Sequence, residues 1–268
     1  MKQFTISIEE LLFCFYSEGF FEQGMALKQA YFPEIEDEQL GALFEAACRS
    51  LLAKDAAEYR NHQYRLKDEY CPFIHVLNDA DYTVKLSKFN GQGAEQNVSC
   101  HVSKFGTYSH ELLFDEQVHR ITKMESSEGL LAKTDEFLHI IDTEDKRESI
   151  VTLTSNEFEK LLEGVSDNPS YLKEFLDKHD HQEDVTRFVN DLALRKGKMD
   201  TLMRLAYDKD NTPEVADMAF VLPGARHTWL VTGITQNEFS ILPAHKDVVN
   251  QIISKNELES ELTKGEKH

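Results

Sequence analysis

The chain of 268 residues reads as an α+β fold of two similar halves, each combining helices with an antiparallel sheet, packed about a pseudo-twofold axis. Three observations predict it. Hydrophobic spacing alternates between the helical and the strand period in the same order twice. A helix-capping signature opens each half. A content of 41% hydrophobic and 10% aromatic residues supplies a core for one large domain or two packed ones.

In the first half, Phe4 to Ile6 are β-prone, and Ser7 with Glu10 three residues on forms a capping box. Ile8, Leu11, Leu12 and Phe15 then recur at helical spacing. Pro33 breaks the pattern; after Asp37, read as a cap, Leu40, Leu43, Phe44, Ala47 and Leu51 form a second stripe. From about Tyr70 the period becomes two. Tyr82, Val84 and Leu86 alternate with polar residues, Gly91 to Gly93 supply a turn, and Val98, Cys100 and Val102 alternate again. Strand-like runs at 111–114 and 118–121 complete a meander. Ser126 with Glu128 then opens a helix whose Leu130, Leu131, Thr134, Phe137 and Leu138 face one way.

The second half repeats this order. Val151-Thr152-Leu153-Thr154 with Glu157 and Phe158 mirrors Phe4-Thr5-Ile6-Ser7 with Glu10 and Leu11, and Leu161, Leu162 and Val165 continue the helix face. Asp184 is read as the cap of a helix bearing Val185, Phe188, Val189 and Leu192. Met199, Leu202, Met203 and Ala206 predict a third helical run. Strands are expected at 219–222, 227–234 and 238–242, and a last helix after Pro243 turns Val248, Val249, Ile252 and Ile253 inward. The expected division is 1–145, 146–256 and a charged tail, 257–268.

Lys and Arg total 29 against 48 Asp and Glu, a net charge of −19. Such a surface repels phosphate backbones and anionic headgroups, so neither nucleic acid nor a membrane is an expected partner. No stretch approaches the roughly 20 apolar residues of a membrane span. The first residues run from one Lys directly into Glu9 and Glu10 without the apolar core of a signal peptide, and a cytoplasmic location is expected. Cys14, Cys48, Cys71 and Cys100 are widely spaced, as buried thiols in a reducing compartment are.

Chemical candidates are few. His179-Asp180-His181 followed by Asp184 has the ligand types of a divalent metal site, set against a polar helix connection; no cofactor is expected. Asp208 to Asn211 resembles the opening of a calcium loop, but Pro213 stands where glycine is needed, and a turn is expected. Cys100 and His101 are neighbours in a strand and point to opposite faces. P-loop, dinucleotide and G-x-S-x-G patterns are absent. Trp229 is expected in the core, and Phe20, Phe21, Gly24 and Met25 are read as filling a seam between halves.

This plan, with His227-Thr228-Trp229-Leu230-Val231 in a late strand and a short closing helix, resembles the EspG-type chaperones of type VII secretion and the proteins associated with such systems in Gram-positive bacteria. The resemblance implies a non-enzymatic, cytosolic protein that holds a small helical secreted protein or complex against its sheet and an adjoining loop. The corresponding place is the hairpin from Lys88 to Asn97, with Lys88, Phe89, Gln92, Glu95 and Gln96 as the partner-binding residues and Phe89 as its apolar anchor. A second copy of the chain is a further expected partner. Two other functions fit the residues: an acidic immunity or regulatory protein that binds a basic partner, and a metal-dependent enzyme using His179 to Asp184.

Overall fold

The computed structural model describes residues 2–125, 128–144, 147, 149–167, 169–209 and 211–254. The chain forms two compact units, Met1–Thr83 with Val98–Ser127, and Val84–Asn97 with the chain from Glu128 onward. A cut near residue 145 therefore separates segments that belong together. Strand β4 (Tyr82–Phe89) hydrogen-bonds β9 (Asp200–Tyr207), and α5 (Glu128–Leu138) packs on α9 (Lys246–Ile253).

The first unit opens with β1 (Gln3–Ser7) and α1 (Ile8–Ser17), followed by α2 (Phe21–Tyr31) and α3 (Asp37–Ala53). A small hairpin of β2 (Ala57–Arg60) and β3 (Gln63–Leu66) leads to α4 (Cys71–Asn78). β5 (Glu95–Ser103), which enters this unit at Val98, β6 (Gly106–Leu113) and β7 (Val118–Lys123) complete the sheet, in the order β1-β7-β6-β5. Helical spacing turns Leu11, Cys14 and Phe15 onto Phe4, Ile6, Tyr108 and Ile121, with Phe73 and Ile74 of α4 closing the core.

The strand-to-helix junction is local chemistry. The Glu10 amide donates to Ser7 Oγ at 3.3 Å, and the Ser7 amide donates to Glu10 Oε2 at 2.7 Å. Glu10 is only 2% exposed, and Lys54 Nζ meets its Oε2 at 2.6 Å, so its charge is compensated where it is buried.

Several expectations need correction here. The N-cap of α3 is Glu36, whose amide donates to Gln39 Oε1 at 3.1 Å; Asp37 is the first helical residue. α2, the β2–β3 hairpin and α4 are not expected from the sequence: α2 carries no apolar stripe, with Gly24 its one buried residue, and the two strands of the hairpin have four residues each and α4 eight. Phe20 packs on Phe15 and His75, but Phe21 and Met25 are 57% and 63% exposed, so these residues do not form a buried seam. Gly24 lies where a Cβ would stand 2.6 Å from the Tyr16 ring, which lets α2 sit close to α1.

The second unit opens with β8 (Val151–Thr154) and α6 (Ser155–Asp167), then α7 (Pro169–Lys178) and α8 (Glu183–Leu194). β9, β10 (Pro213–Pro223), β11 (Thr228–Thr235) and β12 (Glu238–Pro243) form an antiparallel meander, and the strand order is β4-β9-β10-β11-β12-β8. Leu153, Phe158, Phe188, Leu192, Trp229 and Val231 form the core under α6 and α8. Trp229 is fully buried.

The repeated plan extends to pairing. β1 pairs antiparallel with β7, the last strand of its meander, and β8 pairs antiparallel with β12, the last of its own. Each opening strand feeds a boxed helix. In the second unit the Thr154 amide donates to Glu157 Oε2 at 2.9 Å, and the Glu157 amide donates to Thr154 Oγ1 at 3.3 Å.

The expected helix over 199–206 is strand β9. Asp200 and Arg204 occupy the same buried face as Leu202, at 3%, 1% and 0% exposure, so polar residues on the inner face disguise a period of two. Arg204 is tolerated there because its guanidinium is bound by Asp217 on the paired strand. The cap of α8 is Gln182 rather than Asp184, and α7 was not anticipated. Ser126 and the tail 257–268 lie outside the described residues.

Both capping boxes are open to a direct test. Ser7→Ala and Thr154→Ala are each expected to lower stability by about 1 kcal/mol, read as a lower urea midpoint with unchanged slope.

Candidate partner-binding surface

The hairpin predicted as the contact site lies in the second unit, and its turn is held by Asn90. Asn90 Oδ1 accepts the amides of Gln92 and Ala94, both at 2.9 Å, and the Asn90 amide donates to the Ala94 carbonyl at 2.9 Å. Gly93 takes a φ of +81°, a left-handed conformation that suits glycine. Gln92, Glu95 and Gln96 are exposed.

Lys88 and Phe89 are half-buried and engaged inside the unit. Lys88 Nζ donates to the Phe137 carbonyl at 2.8 Å and stands 4.5 Å from the centroid of that ring. Lys198 Nζ stands 5.1 Å from the Phe89 ring. The Phe89 amide donates to Asp200 Oδ1 at 3.0 Å, and Arg195 Nη2 reaches the same oxygen at 2.6 Å. Burial raises the Asp200 carboxyl above its ordinary range, opposed by the Phe89 N–H and the Arg195 guanidinium. Of the five residues proposed from sequence, two anchor the hairpin and three are presented to solvent.

An apolar patch in the same unit is not legible in the sequence. Val215 pairs with Leu205 and Met218 with Met203, so all four share one sheet face. A bulge between Val215 and Asp217 makes this possible, since residues three apart in a regular strand point opposite ways. Val215 is 58% and Met218 38% exposed, while Met203 and Leu205 are half-buried. A helical period at 199–206 would place Met203 and Leu205 on different faces; strand β9 places them on one.

The alternative metal residues are not brought together. His181 Nε2 pairs with Asp177 Oδ1 at 2.8 Å, and Asp184 is held by Arg187 at 2.9 Å and Arg147 at 2.7 Å. His179 lies against the Phe175 ring, 4.6 Å between centroids. Among the described residues no group of three or more His, Cys, Asp and Glu side chains is arranged to hold a metal ion. The cysteines are free thiols; burial raises Cys48 to about 11 and Cys71 to about 12, away from thiolate reactivity.

The first unit carries a polar feature that single-strand reading could not reveal. His101, His110 and His119, on three consecutive strands, form a row on the sheet face shared with Tyr108 and Ile121. Their ring centroids lie 5.7 Å and 5.1 Å apart, His110 Nε2 meets His119 Nδ1 at 2.8 Å, and Thr83 Oγ1 meets His101 Nδ1 at 2.9 Å. Burial lowers His119 to about 4 despite the opposing charge of Glu116, and burial followed by its two histidine neighbours pushes His110 well below the usual value.

Two units of opening strand, capped helix and meander, with each first strand returned to the last, define the fold, and comparison with known proteins finds the same fold. The mycobacterial type VII secretion system chaperone EspG5, solved in complex with a PE25–PPE41 dimer, matches 94% of this chain and 94% of its own with a TM-score of 0.55 and 11% identity, a likeness of fold. The family model described as uncharacterised protein YfjC matches residues 3–253, and the chain belongs to that family. It is 98% identical over 255 residues to the protein YfjC of Bacillus subtilis (strain 168), covering 95% of this chain and all of that one. Among the described residues no helix is long and apolar enough to cross a membrane.

Two predictions arise from these sites. His119 has a folded value near 4 against an ordinary 6.5, so the unfolded chain binds its proton more tightly. Stability is full above pH 6.5 and falls as pH drops toward 4, by about 3 kcal/mol in all from this group, since each pH unit in that window contributes about 1.4 kcal/mol. His119→Gln is expected to flatten this limb in urea unfolding across pH 4 to 7. Asp200→Ala leaves the Phe89 amide and Arg195 without their acceptor and is expected to lower stability by about 2 kcal/mol. Hydrogen exchange in that variant is expected to rise first at Phe89.

Proposed function

We propose that this protein is a non-enzymatic chaperone or adaptor that holds a small helical substrate of type VII secretion before export. The observation that carries the reading is the open apolar sheet face of Met203, Leu205, Val215 and Met218 in the second unit. A soluble protein retains such a patch at a cost in solubility, and an apolar helix face is the natural complement to it. The exposed Gln92, Glu95 and Gln96 of the hairpin add polar groups for specificity at low energetic weight, consistent with an interface of apolar centre and polar rim. The net charge of −19 keeps an apolar-loaded complex dispersed and speeds encounter with a basic substrate.

The fold shared with a secretion chaperone supports this reading. The test is affinity capture from lysate of its own host, read by mass spectrometry. Enrichment of a small helical secreted protein is expected, and Val215→Glu with Met218→Glu is expected to abolish it while leaving the fold intact. Replacing Gln92, Glu95 and Gln96 by Ala is expected to weaken it less than tenfold. Enrichment unchanged by the sheet-face pair, or no enrichment at all, overturns the proposal.

A further inference from the structure

The small hairpin of the first unit leaves one strand edge without a partner. Its pairs run from Ala57 with Leu66 to Arg60 with Gln63, and one step further the Lys67 amide donates to the Ala56 carbonyl at 2.9 Å. Bonded and non-bonded pairs alternate along an antiparallel ladder, so Glu58 with Arg65 and Arg60 with Gln63 exchange the bonds. The main-chain N–H and C=O groups of Tyr64 and Leu66 therefore point away from β2. Among the described residues these groups have no hydrogen-bond partner.

That edge follows a cleft. α3 lies beside β2 and α1 beside β3, and the four residues Gln63 to Leu66 all line a cavity of about 550 Å³ whose other wall includes Phe13, Ser17 and Glu18 of α1 together with Asp68. Successive strand side chains point to opposite faces, so a cavity touched by four in a row runs along the edge of the strand. Gln63 and Arg65 are exposed, Tyr64 is half-buried, and Leu66, 5% exposed, lies at the buried end. The template is preformed. Asn61 and His62 both take left-handed φ values, +52° and +63°, in a two-residue turn whose twist suits its strands, and the Tyr59 and Tyr64 rings pack across the ladder with centroids 4.8 Å apart.

A row of main-chain donors and acceptors is matched by another extended main chain. The surrounding charge selects a basic one. Glu18, held by a 2.7 Å contact with His75 Nε2, and Asp68 stand in the wall, and α1 ends here with no basic residue in its last turn, so the negative end of the helix adds to both carboxylates. Arg65 is paired across the ladder with Glu58. We propose that this cleft takes a short, extended, basic segment of a partner protein as a third strand beside β3. Four residues are a short template; the α1 wall compensates by offering contacts to the side chains of the added strand.

The probe is acetyl-Val-Lys-Val-Lys-Val-amide, titrated into the full chain and read by hydrogen exchange of the main-chain amides. Saturable protection at Tyr64 and Leu66 is expected, with none added at Arg65, whose amide is already bonded inside the hairpin. Methylation of every amide nitrogen in the probe, which removes its donors, is expected to abolish the protection, and replacing both of its lysines by glutamate to weaken binding at least about tenfold. Tyr64→Pro removes the outward donor without touching a ladder bond and is expected to weaken binding about fivefold, read at Leu66. Asp68→Asn, a change at an exposed side chain, is expected to weaken it about twofold. Circular dichroism and urea unfolding verify that both variants fold, and the peptide arms do not depend on them. Four results overturn the proposal: no saturable protection, protection by the methylated probe, binding of the glutamate probe as strong as that of the lysine probe, or unchanged binding in folded Tyr64→Pro. Capture through the sheet face of the second unit bears on none of them, so this site and the proposed chaperone role stand or fall separately.

Discussion

The second unit is organised around one buried carboxylate. Asp200 is 3% exposed at the start of β9, where it accepts the Phe89 amide from β4 and the Arg195 guanidinium from the end of α8. A carboxylate taken out of water is tolerated when charge-assisted hydrogen bonds replace its hydration, and these two come from segments more than a hundred residues apart and five residues away. The consequence is positional. The hairpin from Lys88 to Asn97 is tied to the meander of the second unit, and the outer end of β9 is aligned so that Met203 and Leu205 face the same way as Val215 and Met218.

Polar groups inside the two units divide into two kinds. Glu10 with Lys54 and Arg204 with Asp217 are opposite charges paired where one partner is buried, an arrangement that specifies register more than it adds stability. The histidine row is different. Burial lowers His110 and His119, which bond to one another, and His101 bonds Thr83, so two buried imidazoles of the row are uncharged at neutral pH. On a chain of net charge −19, protonation of such a row would be favoured by the overall field; burial holds it off.

The outer sheet edges are poor ground for strand addition. β1 and β8, the outer strands of their units, have five and four residues, and short edges offer little template for strand addition by another chain. The open ground is instead the bulged part of β10, where a single extra residue turns Val215 and Met218 to one side.

What the amino-acid order determined by itself is whatever depends on neighbours in sequence. Ser7 with Glu10 and Thr154 with Glu157 are capping boxes because residues three apart meet in the first turn of a helix, and both were legible together with the repeated order they open. The alternation at Tyr82 to Leu86 and Val98 to Val102 was legible for the same reason. Tertiary structure decided what depends on long-range pairing. β9 reads as a helix because Asp200 and Arg204 lie on its inner face, where Arg195 and the Phe89 amide bind the one and Asp217 the other. Phe89 reads as an exposed anchor but is packed beneath Lys198, and the row of His101, His110 and His119 exists only once three strands are in register. Sequence spacing carries the local hydrogen bond; the partner that makes a buried charge affordable comes from elsewhere in the chain.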